Sequence, residues 1–172
     1  MNEKMHERLT TIDLHMESLK FSAAHFTIFS ATERERLHGH NFVVRAKITS
    51  PVGPNGLTCD YAIFKNKLKS VANQLDEYTL IPSLSPYMDI TEEGPYYKIV
   101  FNHETMLLLK SDTLLLPIRN CTVEEYSYHL LQNLCADSEL LKAYDIRAIT
   151  VDVSSGPGQS GSSSWSIGTC TK

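Results

Sequence analysis

Apolar and polar positions alternate along one stretch of the chain, from about residue 38 to residue 49. Phe42, Val44 and Ala46 fall on one side of this alternation, and mostly polar or charged residues fall on the other. A period of two is typical of a β-strand with one buried face. At the start of the predicted strand, His38 and His40 share the side of the apolar residues, so both imidazoles should point the same way.

Several other segments have the composition and period of strands. Residues 9–29 do so, and Phe21, Ala23 and His25 fall on one side of that segment. Residues 154–164 are rich in Gly and Ser and predict a loop. The other predicted strands are residues 96–102, 104–110, 113–118, 146–153 and 165–167, with a hairpin turn at residues 110–112.

Two segments change to the helical period. Asp60 is a good N-cap, and the apolar residues that follow it predict a helix of about four turns that ends near residues 76–77. Thr122, with Glu125 three residues later, forms a capping-box pattern in front of a second helical stripe. The order of strands, helix, strands, helix and strands predicts an α+β fold.

Composition limits the class of protein. A chain of 172 residues with 42% hydrophobic content has room for one domain, residues 1–172, with a real core. A net charge of −4 without a Lys/Arg cluster argues against a nucleic-acid partner. The apolar runs are too short to cross a membrane, and the N-terminus does not resemble a signal peptide. The four cysteines include no Cys-x-x-Cys pair, which indicates reduced thiols, so we expect a cytoplasmic protein.

Three histidines form a candidate metal site. His38 and His40 point the same way from one strand, and His25 faces them if the preceding strand pairs alongside. Zinc takes neutral imidazole nitrogens in a tetrahedral shell, and a catalytic site leaves the fourth position to water or substrate. Ordinary core or surface histidines would also explain a His-x-His pair taken alone. His25 on the neighbouring strand favours the metal.

Five motifs together resemble those of the 6-pyruvoyltetrahydropterin synthase and 6-carboxytetrahydropterin synthase family. They are residues 21–26, residues 37–42, Asp60-Tyr61, Leu75-Asp76 and Thr122-Val123-Glu124. The resemblance implies the tunnelling fold, or T-fold, in which a four-stranded antiparallel sheet carries two helices on one face. It also implies that three subunits close a barrel, that two trimers stack as a homohexamer, and that a pterin pocket lies between subunits.

The resemblance also implies the chemistry. In that family the residues equivalent to His25, His38 and His40 hold Zn²⁺, and the substrate is dihydroneopterin triphosphate or a related pterin. Thr122 and Glu124 would then bind the substrate at the start of the second helix. A bound zinc lowers the pKa of a substrate hydroxyl while a protein base moves protons along the side chain.

Three departures from the family pattern concern the residues beside the metal. The cysteine that acts as base is absent, and Glu33 or Glu35 stands in its place; some members with a glutamate there cleave the side chain by a retro-aldol step. An ordinary salt-bridged loop is the alternative, and two flanking arginines would lower the pKa of either glutamate. The aspartate of the family's Asp-His pair survives as Asp76, but Glu77 replaces the histidine. Asp152 can replace the pterin-anchoring glutamate only if a bulge or slip turns it around.

The segment from about residue 78 to residue 118 is a β-rich insertion relative to ordinary members of the family. It would either cover a site or interface or be a tolerated surface insertion. For Cys121 a buried structural thiol is favoured over one beside the substrate.

We therefore expect a zinc-dependent lyase or synthase for a pterin, with altered catalytic residues and an altered product. A non-catalytic zinc-binding descendant with a binding or assembly role is the alternative. A zinc enzyme for another purine-like or polyhydroxylated ligand is a third hypothesis.

Overall fold

The computed structural model describes residues 7–168. The strands are β1 (Leu9–Leu14), β2 (Lys20–His25), β3 (His38–Pro51), β4 (Tyr78–Pro82), β5 (Asp89–Glu93), β6 (Tyr96–Phe101), β7 (Glu104–Leu109), β8 (Thr113–Leu116), β9 (Ala148–Gly156) and β10 (Gln159–Ser166). The α-helices are α1 (Tyr61–Asn73), α2 (Val123–Cys135) and α3 (Ser138–Ala143), and Lys110–Asp112 form a 3₁₀ turn. Within residues 7–168 no helix is long and apolar enough to cross a membrane.

The central strand of the fold is β3, the strand predicted from the alternating pattern. One edge of β3 pairs with β9, and the other edge pairs first with β2 and then with β1, all antiparallel. The sheet order is β10-β9-β3-β2-β4-β8, and the pairs β2–β4 and β4–β8 are parallel. The antiparallel part therefore agrees with the expected sheet, and the parallel strands β4 and β8 extend it.

The main core lies between one face of this sheet and the helices. Phe42, Val44 and Ala46 are buried on β3 and pack with Phe64 of α1 and Tyr126 of α2. The other face of β3 carries exposed residues, as a period of two requires. Both long helices thus cover the face that the sequence pattern marks as apolar.

The helix starts follow the predicted caps. Asp60 Oδ1 accepts a hydrogen bond from the Ala62 N–H, and Thr122 Oγ1 accepts one from the Glu125 N–H. The return bond of a capping box is absent from α2, because the Glu125 carboxylate accepts from the Arg119 N–H instead. The first helix ends at Asn73, about one turn before the predicted end.

A separate antiparallel sheet, β5-β6-β7, packs on a second apolar cluster that it shares with Phe26, Ile28 and Ile81. The predicted hairpin at residues 110–112 is wrong, because β7 pairs with β6 while β8 pairs with β4. The hairpin turn is at Asn102 and His103, whose φ angles are 46° and 65°. Two consecutive positive φ angles match the twist of a two-residue hairpin, and Asn tolerates that conformation.

The loop predicted at residues 154–164 is also wrong in part, because β9 continues to Gly156 and β10 begins at Gln159. Its small residues are explained by close packing against α2. A Cβ at Gly161 would lie 2.7 Å from the Val123 carbonyl carbon, and Ser163 Oγ lies 2.9 Å from Ser127 Oγ. The sequence gives no sign that a helix packs so closely on this segment. From its composition alone, the segment therefore resembles a loop.

The single extended segment predicted for residues 9–29 is two strands. Leu19 N–H donates to the Met16 carbonyl in a turn that separates β1 from β2. Both strands then lie end to end along β3, which places the end of β2 opposite the start of β3.

Candidate metal centre and active site

The three histidines come together where β2 ends and β3 begins. His25 lies directly opposite His38 in the strand ladder, and His40 lies two residues further along β3 on the same face. One ring nitrogen from each lies within 4.8 Å of the other two, and the Nε2 atoms of His38 and His40 are 3.1 Å apart. Two ligands of a tetrahedral zinc ion are about 3.3 Å apart for a Zn–N bond of about 2.05 Å. The predicted cluster is therefore compatible with a metal ion.

Backbone carbonyls set the tautomers of two of these rings. His25 Nδ1 lies 3.0 Å from the Cys121 carbonyl oxygen, and His38 Nδ1 lies 2.7 Å from the Arg36 carbonyl oxygen. A carbonyl oxygen only accepts, so both Nδ1 atoms carry a proton, and the neutral form of each ring offers the lone pair of Nε2. This arrangement is typical of metal-binding histidines, whose other nitrogen donates to a carbonyl or carboxylate.

His25 gives the clearest sign that the cluster fits a metal. Its side chain is 5% exposed, and its Nε2 atom is buried without a hydrogen-bond partner. Burial lowers the pKa of His25 below its ordinary 6.5, and charge on His38 or His40 would lower it further. The neutral ring with an unused lone pair is the form that a metal ion needs.

Aromatic rings hold the cluster from the core side. The His25 ring centroid is 5.2 Å from that of Phe42 and 6.2 Å from that of Tyr126. The Phe42 ring also lies 5.8 Å from that of His40. Such packing restricts the imidazole rotamers, which favours a preformed ligand set.

Of the two candidate glutamates, Glu35 lies beside the histidines. Its Oε2 atom accepts a hydrogen bond of 2.9 Å from the Thr27 N–H and lies 4.0 Å from His38 Nε2. Partial burial raises the pKa of Glu35, but the Thr27 hydrogen bonds and the nearby His38 and His25 outweigh it, so the net pKa is lowered. The expected direction is right, whereas the cause is different, because the Arg34 guanidinium contacts the Glu35 carbonyl and Glu104.

Glu33 has a different position. Its side chain is exposed, and its backbone carbonyl accepts hydrogen bonds from the N–H groups of Phe29 and Ser30. Glu33 therefore closes a turn with Phe29 and Ser30 in the loop between β2 and β3. Of the two candidate glutamates, Glu35 is therefore the one whose carboxylate lies near the histidine cluster.

Asp76 and Glu77 lie against the backbone of β2. Asp76 Oδ1 accepts from the Ser22 N–H at 2.6 Å, and Glu77 N–H donates to the Ser22 carbonyl. Glu77 has a φ of 65° and lines a cavity of about 450 Å³ that His40 also borders. Glu77 thus borders the same cavity as His40, whereas Asp76 is bonded to the backbone of β2 at Ser22.

The expected substrate-binding residues are spread over two elements. Thr122 caps α2, and the side chain of Glu124 is exposed in the first turn of that helix. Asp152 lies opposite Arg45 in a ladder that runs without interruption from Val43 to Thr49 of β3. The bulge or slip that would turn Asp152 to the histidine side is absent there, so Asp152 lies on the opposite face of the sheet.

The sequence analysis did not predict the residues behind the histidines, Asn120 and Cys121, as part of the site. The Cys121 thiol is buried and donates to the Leu80 carbonyl, and burial raises its pKa to about 12. This confirms a structural thiol, while the carbonyl of the same residue orients His25. Asn120 holds the segment after β2 by bonding both the N–H and the carbonyl of Ile28. The helix cap at Thr122 can be predicted from the sequence. The sequence does not show that the carbonyl of the preceding residue, Cys121, contacts His25 on β2.

Known proteins resemble the chain in sequence and in structure. The family model of 6-pyruvoyl tetrahydropterin synthase matches residues 15–162. A Methanocaldococcus jannaschii protein provisionally named 6-carboxy-5,6,7,8-tetrahydropterin synthase is 26% identical over 144 residues, which are 82% of this chain and 86% of that protein.

Among solved structures, 6-pyruvoyl tetrahydropterin synthase from Plasmodium vivax has a TM-score of 0.88 and 27% identity, over 94% of this chain and 100% of that chain. The Plasmodium falciparum enzyme has a TM-score of 0.87 and 30% identity, over 92% of this chain and 99% of that chain. Two more structures of the P. vivax enzyme carry alanine or cysteine at a glutamate described as a catalytic residue. These likenesses confirm the predicted T-fold.

The histidine cluster can hold a metal ion, and it lies in a fold shared with pterin synthases over nearly the whole described chain. Because the family model covers most of the sequence, the chain belongs to the 6-pyruvoyl tetrahydropterin synthase family.

Proposed function

We propose that this chain is a zinc-dependent enzyme acting on dihydroneopterin triphosphate, with Glu35 as the base in place of the family's usual cysteine. One observation carries the proposal: the Glu35 carboxylate lies 4.0 Å from His38 Nε2 and is held there by the Thr27 N–H. The P. vivax relative, which also has a glutamate described as catalytic, supports this role. A base at this distance can reach a hydroxyl that also reaches the metal position.

His25, His38 and His40 would hold the zinc through their Nε2 atoms. When bound, zinc supplies a Lewis acid that acidifies a side-chain hydroxyl of the substrate and stabilises negative charge on its oxygen. The carbonyls of Cys121 and Arg36 keep the ring protons on Nδ1 and thus keep Nε2 available. The buried position of His25 also limits access of water from the core side.

The residues beside the metal favour a retro-aldol step. The lowered pKa of Glu35 keeps its carboxylate ionised, so it can accept the proton of the hydroxyl on the second side-chain carbon. The bond between the first and second carbons then breaks, and the second carbon leaves as an aldehyde that keeps the triphosphate. The electron pair passes into the pterin ring system, and the first carbon regains a proton to give a hydroxymethylpterin.

The tetrahydropterin synthase route needs more proton transfers, for which the family uses an Asp-His pair. Here Glu77 cannot act as a protonated imidazole, and the Asp76 carboxylate accepts from the Ser22 N–H. The replacement of the histidine by Glu77 therefore supports the retro-aldol product over the synthase product.

We further propose a homohexamer, formed as a dimer of trimers, in the cytoplasm. Glu77, Thr122 and Glu124 would then line a pterin pocket between subunits, with Asp76 holding the backbone of β2 beside it, whereas Asp152 lies on the opposite face of the sheet. The free Cys59, Cys121 and Cys135 fit a reducing compartment.

Incubation of zinc-loaded protein with dihydroneopterin triphosphate, followed by separation of the pterins, tests the proposal. We expect a hydroxymethylpterin as the main product and its loss in His38→Ala. A tetrahydropterin product would instead support the synthase route. Absence of both turnover and pterin binding would refute the proposal and favour the non-catalytic zinc-binding alternative.

A further inference from the structure

We infer that Arg34 is a positioning residue, which the tip of the inserted β5-β6-β7 sheet holds in place so that Glu35 stays beside the histidines. The inference rests on the role proposed for Glu35 and assigns a function to the insertion. It concerns the loop between β2 and β3, whose sequence predicts only a solvated, charged segment.

The Arg34 guanidinium lies against two buried aromatic rings. Its Cζ atom is 5.1 Å from the Phe26 ring centroid and 5.6 Å from the Phe101 ring centroid. Phe26 follows β2, whereas Phe101 ends β6 of the inserted sheet, and the exposed fractions of the two rings are 0% and 3%. Arg34 thus joins the loop to the small sheet through two cation–π contacts, one with each ring.

The same guanidinium makes two directional contacts. Nη1 donates to the Glu35 carbonyl at 2.9 Å, and Nη2 donates to the Glu104 carboxylate at 3.4 Å. Glu104 begins β7, directly across the hairpin from Phe101. The two-residue turn of that hairpin therefore places an aromatic ring and a carboxylate around one arginine.

These contacts determine where Glu35 lies. Arg34 holds the Glu35 carbonyl, the Glu35 N–H donates to the Thr27 carbonyl at 2.8 Å, and the Glu35 carboxylate accepts from the Thr27 N–H. The backbone of Glu35 is thus fixed on both sides, and its side chain is directed towards His38. Loss of one fixed point would let the carboxylate move, and a displacement of about 1 Å can cost about a hundredfold in rate.

An ordinary surface ion pair between Arg34 and Glu104 is the competing explanation. The Glu104 side chain is 72% exposed and the pair is long, so its own contribution should be small. The two explanations differ in their predictions. If the rings and the Glu35 carbonyl matter, Arg34→Met has a large effect and Glu104→Gln a small one.

The experiment compares Arg34→Met with Arg119→Met, which removes the same charge from an exposed arginine. Amide hydrogen exchange at Thr27 and Glu35 is measured by NMR, and kcat and KM are measured with dihydroneopterin triphosphate at saturating zinc. We expect exchange at least about tenfold faster and kcat lower by about tenfold to a hundredfold, with KM within about twofold and unchanged zinc content.

The conservative variant Arg34→Lys keeps the positive charge near the two rings but lacks the two separate N–H donors of the guanidinium. Compared with Arg34→Met, it should therefore show slower amide exchange and a higher kcat. If Arg34→Met does not fold, amide exchange and kinetics are compared between Arg34→Lys and wild type instead. Unchanged exchange in the Arg34 variants would overturn the inference, and so would faster exchange with unchanged kcat. A wild-type protein without turnover would count against the proposed function only, and the exchange comparison would then decide this inference.

Discussion

The substitution Glu35→Gln separates the chemistry of the proposed base from its structural contacts. A glutamine keeps an oxygen that can accept the Thr27 N–H, so the loop should retain its geometry. It loses the ability to accept a proton at neutral pH. Any large change in rate then reports on proton transfer rather than on folding.

The size of the effect can be estimated from the position of the carboxylate. Removal of a general base typically lowers kcat by about 10² to 10⁴. The lost charge lies 4.0 Å from His38 Nε2, and its side chain is 37% exposed, so water-like screening applies. With the dielectric constant of bulk water, a dication at such a distance would lose about 2 kcal/mol, which lowers zinc affinity by about thirtyfold, and weaker screening would increase this loss. Saturating zinc removes this second effect.

The assay is single-substrate kinetics on wild type, Glu35→Gln and Glu33→Gln, with zinc content and thermal unfolding measured on the same samples. Glu33→Gln is a matched control because it removes the same charge from the same loop, at an exposed side chain. We expect Glu33→Gln to remain within about threefold of wild type. The reasoning is refuted if Glu35→Gln keeps more than about a tenth of the wild-type kcat, or if Glu33→Gln loses as much.

Three further predictions concern packing, pH and the thiol. Gly161→Ala places a methyl group 2.7 Å from the backbone of α2 and should lower the free energy of unfolding by about 1–3 kcal/mol, or Tm by about 2–12 °C. The control Gly156→Ala meets nothing within 4 Å and should change Tm little. Equal Tm values for the two variants would contradict this prediction. Burial lowers the pKa of His129 in the folded protein below 6.5, and the Asn133 amide faces its neutral Nε2. The contribution of the neutral ring to the free energy of unfolding is therefore fully present above pH 6.5. It is lost as the pH falls through the lower pKa of the folded state. His129→Gln should therefore flatten the fall in Tm between pH 7 and pH 5, and an unchanged slope would argue against it. Cys121→Ala should keep kcat within about threefold because a thiol with a pKa of about 12 is not a base at neutral pH; collapse of kcat with zinc retained would place the thiol in the chemistry.

Local sequence signals predicted those parts of the fold that depend on neighbouring residues. The period of two in β3 and the caps at Asp60 and Thr122 involve residues within a few positions of each other. Each signal therefore survives into the structure with an error of about one turn or less. The same holds for His38 and His40, whose common direction follows from the strand alone.

Signals of composition were less reliable where a distant element decides the outcome. Most of the Gly/Ser-rich segment is strand because β10 pairs with β9, and its residues are small because α2 packs directly on Gly161. The turn at residues 110–112 does not close a hairpin because β8 finds its partner in β4, about 34 residues earlier. In both places the deciding neighbour is far away in sequence.

The sequence by itself determined the central strand, both long helices and the three histidines that can bind a metal. Only the tertiary structure decided what surrounds them: the Cys121 carbonyl behind His25, the Thr27 N–H on Glu35, and the ring of Phe101 against Arg34. The physical reason is the range of the interaction. Strand period and helix caps are set within one or two turns, whereas His25 and Cys121 meet across 96 residues, through contacts that exist only once the sheet and α2 have packed.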